Sequence, residues 1–74
     1  MLRDIRKDRG WLPSELSRRS GVNKNMIQFY ENGAKDINGA RLKTLLKLCV
    51  ALDCKLSDLI TDPECVDMLK KIEM

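Results

Sequence analysis

Signals that stop or start a helix recur about every ten residues along this chain, and they restrict it to short helices joined by tight turns. Gly10 closes a first helix, on which Leu2, Ile5 and Arg9 share a face, and Pro13 suits the first position of a second. That second helix takes in residues 14–19 and points Leu16 inward. Ser20-Gly21-Val22-Asn23 reads as a tight turn: Gly21 supplies a positive φ, Val22 packs, and Asn23 caps the next helix. The third helix runs from Lys24 to about Asn32, where Gly33 stops it. Residues 35–37 read as loop, and Asn38 is expected to cap a fourth helix. On it Leu42, Leu45, Leu46, Cys49 and Leu52 recur at helical spacing as one inward stripe. Asp53 is expected in the left-handed conformation, which Asp tolerates better than most residues. Leu56, Leu59 and Ile60 make a short fifth helix, and Asp62-Pro63 starts a last one striped by Cys65, Met68, Leu69 and Ile72. The fold class is all-α.

A chain of 74 residues has room for one core. With 43% hydrophobic and 34% charged residues it is not a disordered tail, and three aromatic residues are too few for a sandwich or barrel. The longest apolar run, residues 48–52, falls far short of the roughly 20 residues of a membrane span. The first residues already read as helix without a signal-peptide apolar region, so no membrane and a cytoplasmic location are expected. Cys49, Cys54 and Cys65 are an odd set, two of them inside a hydrophobic stretch, and are expected to be free thiols. The chain has no histidine, hence neither the usual zinc ligand set nor the commonest general base. It also lacks the glycine-rich motifs that cradle phosphates. No catalytic role, no cofactor and no metal are expected.

Charge is unevenly divided. Residues 1–35 hold eight basic and four acidic side chains, whereas residues 36–74 hold six basic and seven acidic. A basic half beside a nearly neutral one fits a surface that meets a polyanion. Two short helices joined by a four-residue, glycine-containing turn form a helix-turn-helix, whose second helix enters the DNA major groove. At about 100° per residue, Met26, Ile27 and Tyr30 gather on one side of the third helix and Lys24, Asn25, Gln28, Phe29 and Asn32 on the other. Asn and Gln pair with adenine and Lys donates to guanine. An outward Phe29 fits a thymine methyl or another protein.

Several segments together are similar to the Cro/repressor-like (XRE, lambda-repressor-like) helix-turn-helix proteins over residues 2–61. They are Leu2-Arg3-Asp4-Ile5-Arg6-Lys7-Asp8-Arg9-Gly10, Glu15-Leu16-Ser17, Ser20-Gly21-Val22, Met26-Ile27-Gln28-Phe29-Tyr30-Glu31-Asn32-Gly33 and Leu45-Leu46-Lys47-Leu48-Cys49-Val50-Ala51-Leu52. The resemblance implies a compact five-helix domain at residues 1–61, with residues 62–74 as an added helix for packing or dimerisation. It implies base contacts from Lys24, Asn25, Gln28 and Phe29, and backbone contacts from Asn23, Lys35 and Asn38. Arg6 and Glu31 take the places of the family's ion pair between helices one and three. The family commonly has Thr-Gln at the start of helix two, and its glutamine reaches a phosphate; here Leu12-Pro13 stand there, leaving Ser14 or Arg18 to reach the backbone from another angle. The loop before helix four is longer than the family's usual form by about three residues.

The resulting expectation is a sequence-specific regulator of transcription that binds double-stranded DNA as a homodimer in a bacterium or its phage. A different class of function, an antitoxin-like module whose main partner is another protein, draws on outward Phe29, the missing glutamine and the added helix.

Overall fold

The computed structural model describes residues 1–73 and places helices where the breaking signals allow them. They are α1 (Leu2–Asp8), α2 (Pro13–Ser20), α3 (Lys24–Asn32), α4 (Leu42–Leu52), α5 (Leu56–Leu59) and α6 (Pro63–Ile72), with one 3₁₀ turn, Ile37–Gly39, ahead of α4. Among the described residues there is no strand, and no helix is long and apolar enough to cross a membrane. The fold is therefore all-α. Gly21 sits at φ 78°, the left-handed region its turn requires, and its N–H closes α2 on the Ser17 carbonyl at 2.9 Å. Asp53 takes φ 51° after α4.

Leu2, Leu16, Val22, Ile27, Ile37, Leu45, Leu48, Leu52 and Leu59 form the core. Each helix from α1 to α5 supplies at least one of them, and α2 packs on both α3 and α4. Leu16, Ile27, Leu48, Leu52 and Leu59 are fully buried. Arg9 adds a polar tie: its guanidinium donates from Nε and Nη2 to the Leu52 carbonyl, at 3.1 and 2.7 Å, and so fastens α1 to the open end of α4. α6 packs on α5 and contributes nothing to the buried set: Cys65, Val66 and Leu69 are half-buried, while Met68 and Ile72 are exposed.

Two expectations about α4 need correction. Its inward stripe is Leu45, Leu48 and Leu52, with Cys49 half-buried; Leu42 and Leu46 point outward, 62% and 48% exposed. The helix is apolar on more than one side, so its leucine spacing fits two faces, and packing against α2 and α5 selects the one containing Leu48. Asn38 does not cap α4. It lies in the 3₁₀ turn, where the Asp36 carboxylate accepts from its backbone N–H at 2.9 Å, and the residue ahead of α4 is Arg41, which provides no side-chain cap.

Cys49, Cys54 and Cys65 are free thiols. Cys49 and Cys54 flank the left-handed Asp53, and the Cys54 N–H donates to the Cys49 carbonyl at 3.2 Å; the two thiols fill the positions where this helix ending usually has an apolar contact. Burial, with the neighbouring Cys49 second, pushes the Cys54 thiol up to about 12.

Replacing Gly21 with Val is expected to destabilise the domain by about 1–2 kcal/mol, because a β-branched residue resists positive φ. Nothing lies within 4 Å of the added Cβ, so Asn, which tolerates that conformation, should lose clearly less stability in the same urea titration. Cys54 gives a pH dependence. Because its folded pKa lies above the ordinary 9.0, its contribution is complete below pH 9.0 and is lost as pH rises toward about 12, the unfolded chain releasing its proton first. The urea midpoint should fall over that range, and fall less in a chain carrying Cys49→Ala and Cys54→Ala.

Candidate nucleic-acid interface

The turn between α2 and α3 is built from its own short side chains. Ser20 Oγ accepts from the Val22 N–H at 3.1 Å while the Val22 side chain enters the core. Asn23 caps α3, its Oδ1 accepting from the Asn25 N–H at 2.8 Å. Ile27 is fully buried, Met26 and Tyr30 are half-buried, and Lys24, Asn25, Gln28, Phe29 and Asn32 all face solvent. α3 is thus anchored by one face and open along the other.

Its direction is fixed by Arg6. The guanidinium donates to both oxygens of Glu31, from Nε at 2.7 Å and from Nη2 at 2.8 Å, and to the Trp11 carbonyl from Nη1 at 2.8 Å. The two side chains are only 8% and 4% exposed. The hydrogen bond to Glu31 raises the Arg6 pKa against the opposing effect of burial. One buried fork therefore joins α1, α3 and the α1–α2 linker.

Around the open face lie two clefts. The first, about 450 Å³, is lined by Arg3, Arg6, Pro13, Gln28, Phe29, Glu31 and Asn32. Ser14 is exposed in the first turn of α2, next to Pro13. The second cleft, about 570 Å³, lies between α3 and the start of α4 and is lined by Lys35 and Arg41 together with Met26, Tyr30, Asp36 and Thr44. The Lys35 ammonium is 5.9 Å from the Phe29 ring centroid and 3.5 Å from the Met26 sulfur. Among the described residues Lys24, Lys35 and Arg41 form no ion pair. Arg18 is paired with Glu15, which also holds Arg19 at 2.7 Å, and Arg19 lies 4.4 Å over the Trp11 ring. The two arginines hold the Glu15 carboxyl below its ordinary range, with the Arg18 hydrogen bond the largest cause.

Asn38 has a different place from the one expected. Its amide donates to Asp36 at 2.8 Å and to Thr61 Oγ1 at 2.9 Å, and its Oδ1 accepts from the Thr61 and Asp62 N–H groups at 2.7 and 3.0 Å. It staples the 3₁₀ turn to the α5–α6 junction, with both its donor and its acceptor partnered inside the chain. Arg3, Arg41 and Thr44 line these clefts although the sequence did not single them out. An exposed arginine carries no local signature; the nearest signal is the start of α4, which no side chain caps and whose free N–H groups need an anion or water.

The sequence profile of the Cro/C1-type HTH DNA-binding domain matches residues 1–64. The chain belongs to that family. No curated protein and no solved structure matches it. The Cro/C1-type match ends two residues into α6, and within it α2 and α3 are the helix-turn-helix of a DNA-binding domain. Among the described residues no group of three or more carboxylates and thiols is arranged to hold a metal ion.

Glu31→Gln should leave the buried Arg6 guanidinium facing a neutral amide and cost about 3–5 kcal/mol in a urea titration. Arg3, half exposed and 3.5 Å from the same carboxylate, is a control: Arg3→Ala should change stability by less than about 1 kcal/mol. Equal effects from both would mean that the fork does not hold α3.

Proposed function

We propose that this Cro/C1-type domain is a sequence-specific regulator of transcription that lays α3 in the major groove of double-stranded DNA and works as a cytoplasmic homodimer in a bacterium or its phage. The observation that carries the proposal is the open row Lys24, Asn25, Gln28 and Phe29 on a helix whose other face is core. Asn25 and Gln28 each offer the paired donor and acceptor that adenine N7 and N6 require, Lys24 donates to guanine O6 and N7, and Phe29 offers a ring to a thymine methyl. Phosphate contacts fall to Ser14, to the amide N–H₂ of Asn23, to Lys35 and to Arg41 at the second cleft; Arg18 joins them by exchanging Glu15 for phosphate. A short recognition helix reads few base pairs, which is why two copies across two half-sites, about 34 Å apart, belong to the proposal. The chain acts by binding, without catalysis.

A module whose main partner is another protein is the competing reading, favoured by the exposed leucines of α4. Salt separates the two. Each phosphate contact releases counterions, so log affinity for DNA should fall with a slope of about 0.9 per contact in log salt. Asn25→Ala or Gln28→Ala should cost about 1–3 kcal/mol at one base position and relax preference there, whereas Lys35→Ala should weaken all sequences alike and flatten the slope. Fluorescence anisotropy with fragments selected from a random pool measures both. If the Ala variants stay folded and keep full affinity and preference, α3 is not the reading helix.

A further inference from the structure

The end of α4 closes through two backbone hydrogen bonds: the Cys54 N–H donates to the Cys49 carbonyl at 3.2 Å, and the Asp53 N–H to the Val50 carbonyl at 3.4 Å. The first of these limits how far apart the two cysteines lie, because standard bond lengths leave their Cα atoms at most about 7 Å apart. Both side chains are half-buried and pack against the core. Burial raises both thiol pKa values, and each thiol also perturbs the other. Cys54 opens on a surface cleft of about 280 Å³ that Asp8, Arg9, Asp53 and Asp58 also line. The three aspartates are exposed, whereas the Arg9 guanidinium is tied to the Leu52 carbonyl. No residue of α3 lines this cleft. A pair of thiols thus sits under an acidic mouth, on a part of the molecule that DNA recognition leaves unused.

We infer that Cys49 and Cys54 together form a binding site for one soft, singly charged metal ion of the copper(I) type, held between their two sulfurs. Donor chemistry selects the ion. Structural zinc takes a tetrahedral set of ligands, and among the described residues no group of three or more carboxylates and thiols supplies one. Copper(I) prefers sulfur and is satisfied by two thiolates, so the missing histidine, which argues against zinc, does not argue against it. The carboxylates around the mouth favour a cation over an anionic or neutral ligand. Loading breaks two S–H bonds and forms two S–Cu bonds. Both protons leave to solvent, copper stays in its +1 state, and the neutral pair becomes a singly negative complex. Burial opposes a negative Cys54 most strongly, but Arg9 works in the other direction and offsets part of the new charge. An internal disulfide is a poorer use of the pair, since a thiolate must attack to form it and both thiols are held protonated. A metal ion displaces those protons directly. The closing contact of the turn asks only for two apolar groups; sulfur at both ends adds a ligand pair.

Titrating the reduced, DNA-free chain with Cu(I) under anaerobic conditions tests the site, with ascorbate to hold the copper reduced and a chromogenic Cu(I) chelator as competitor. One ion per chain should bind, with a thiolate-to-copper absorption band in the ultraviolet. Cys49→Ser and Cys54→Ser should each weaken binding by about a hundredfold or more, because one of two linked attachments is lost. Cys65→Ser, which alters the remaining thiol, should bind like the original chain. Loading should also raise the thermal unfolding midpoint of the original chain and of Cys65→Ser, and leave the other two variants unchanged. Circular dichroism shows which variants are folded, and Cys49→Ala or Cys54→Ala replaces a serine variant that is not. Full-strength binding without Cys49 or without Cys54 overturns the site. A requirement for Cys65, or one ion shared by two chains, overturns it equally. A midpoint that stays put or falls on loading would mean that copper meets loose thiols, an adventitious ion only. None of these results bears on whether α3 reads DNA, which the Asn25 and Gln28 variants decide.

Discussion

The buried fork from Arg6 to Glu31 is the constraint on which the other arrangements depend. Removing two charges from water is expensive, and their attraction offsets that only when geometry is good and the remaining hydrogen-bonding groups are satisfied. Here both carboxylate oxygens and three guanidinium nitrogens have partners between 2.7 and 2.8 Å, and no buried side-chain polar atom among the described residues is left without one. A pair of leucines in the same space would hold the helices together about as well. They would not fix the angle of α3, because apolar contact is indifferent to a few degrees of rotation, whereas a two-point hydrogen bond is not. The pair trades little net stability for a direction.

That direction matters because α3 is short and anchored on one side only. Its nine residues give Ile27 to the core, with Met26 and Tyr30 packed around it, and leave five side chains in water. A helix of this length does not persist alone. It exists because Asn23 caps its start, Gly33 releases the chain at its end, and Glu31 is clamped from α1. The open row is therefore presented by a rigid support although none of its members contributes to that support. This separation lets side chains on the row vary at small cost to the fold.

Most of the architecture was legible because its signals are local. Gly21 at positive φ, Pro13 opening α2, Asn23 and Asp62 as caps and Asp53 beyond α4 are consequences of backbone sterics and of hydrogen bonds two or three residues long. What was misjudged depends on partners far along the chain. Asn38 is held by Thr61 and Asp62, 23 and 24 residues away, and no local pattern announces that staple. Leu42 and Leu46 fit a helical stripe as well as Leu48 does; only the arrival of α2 and α5 decides which leucines are covered. The pairing of Arg18 with Glu15, by contrast, is readable from their i, i+3 spacing. The sides of α3 followed from the wheel, since its apolar residues occupy a single arc.

The exposed leucines of α4 bear on stability. Nine buried apolar residues make a small core for a domain of this size, and domains in general keep only about 5–15 kcal/mol of net stability. Fully burying a side chain like Leu42 or Val50 contributes about 1.5–3 kcal/mol, so leaving Leu42, Leu46 and Val50 in water forgoes an amount comparable with a large part of that margin. Whatever covered this line in the folded state alone would therefore stabilise the folded chain itself, since binding to the folded and not the unfolded chain adds directly to that margin.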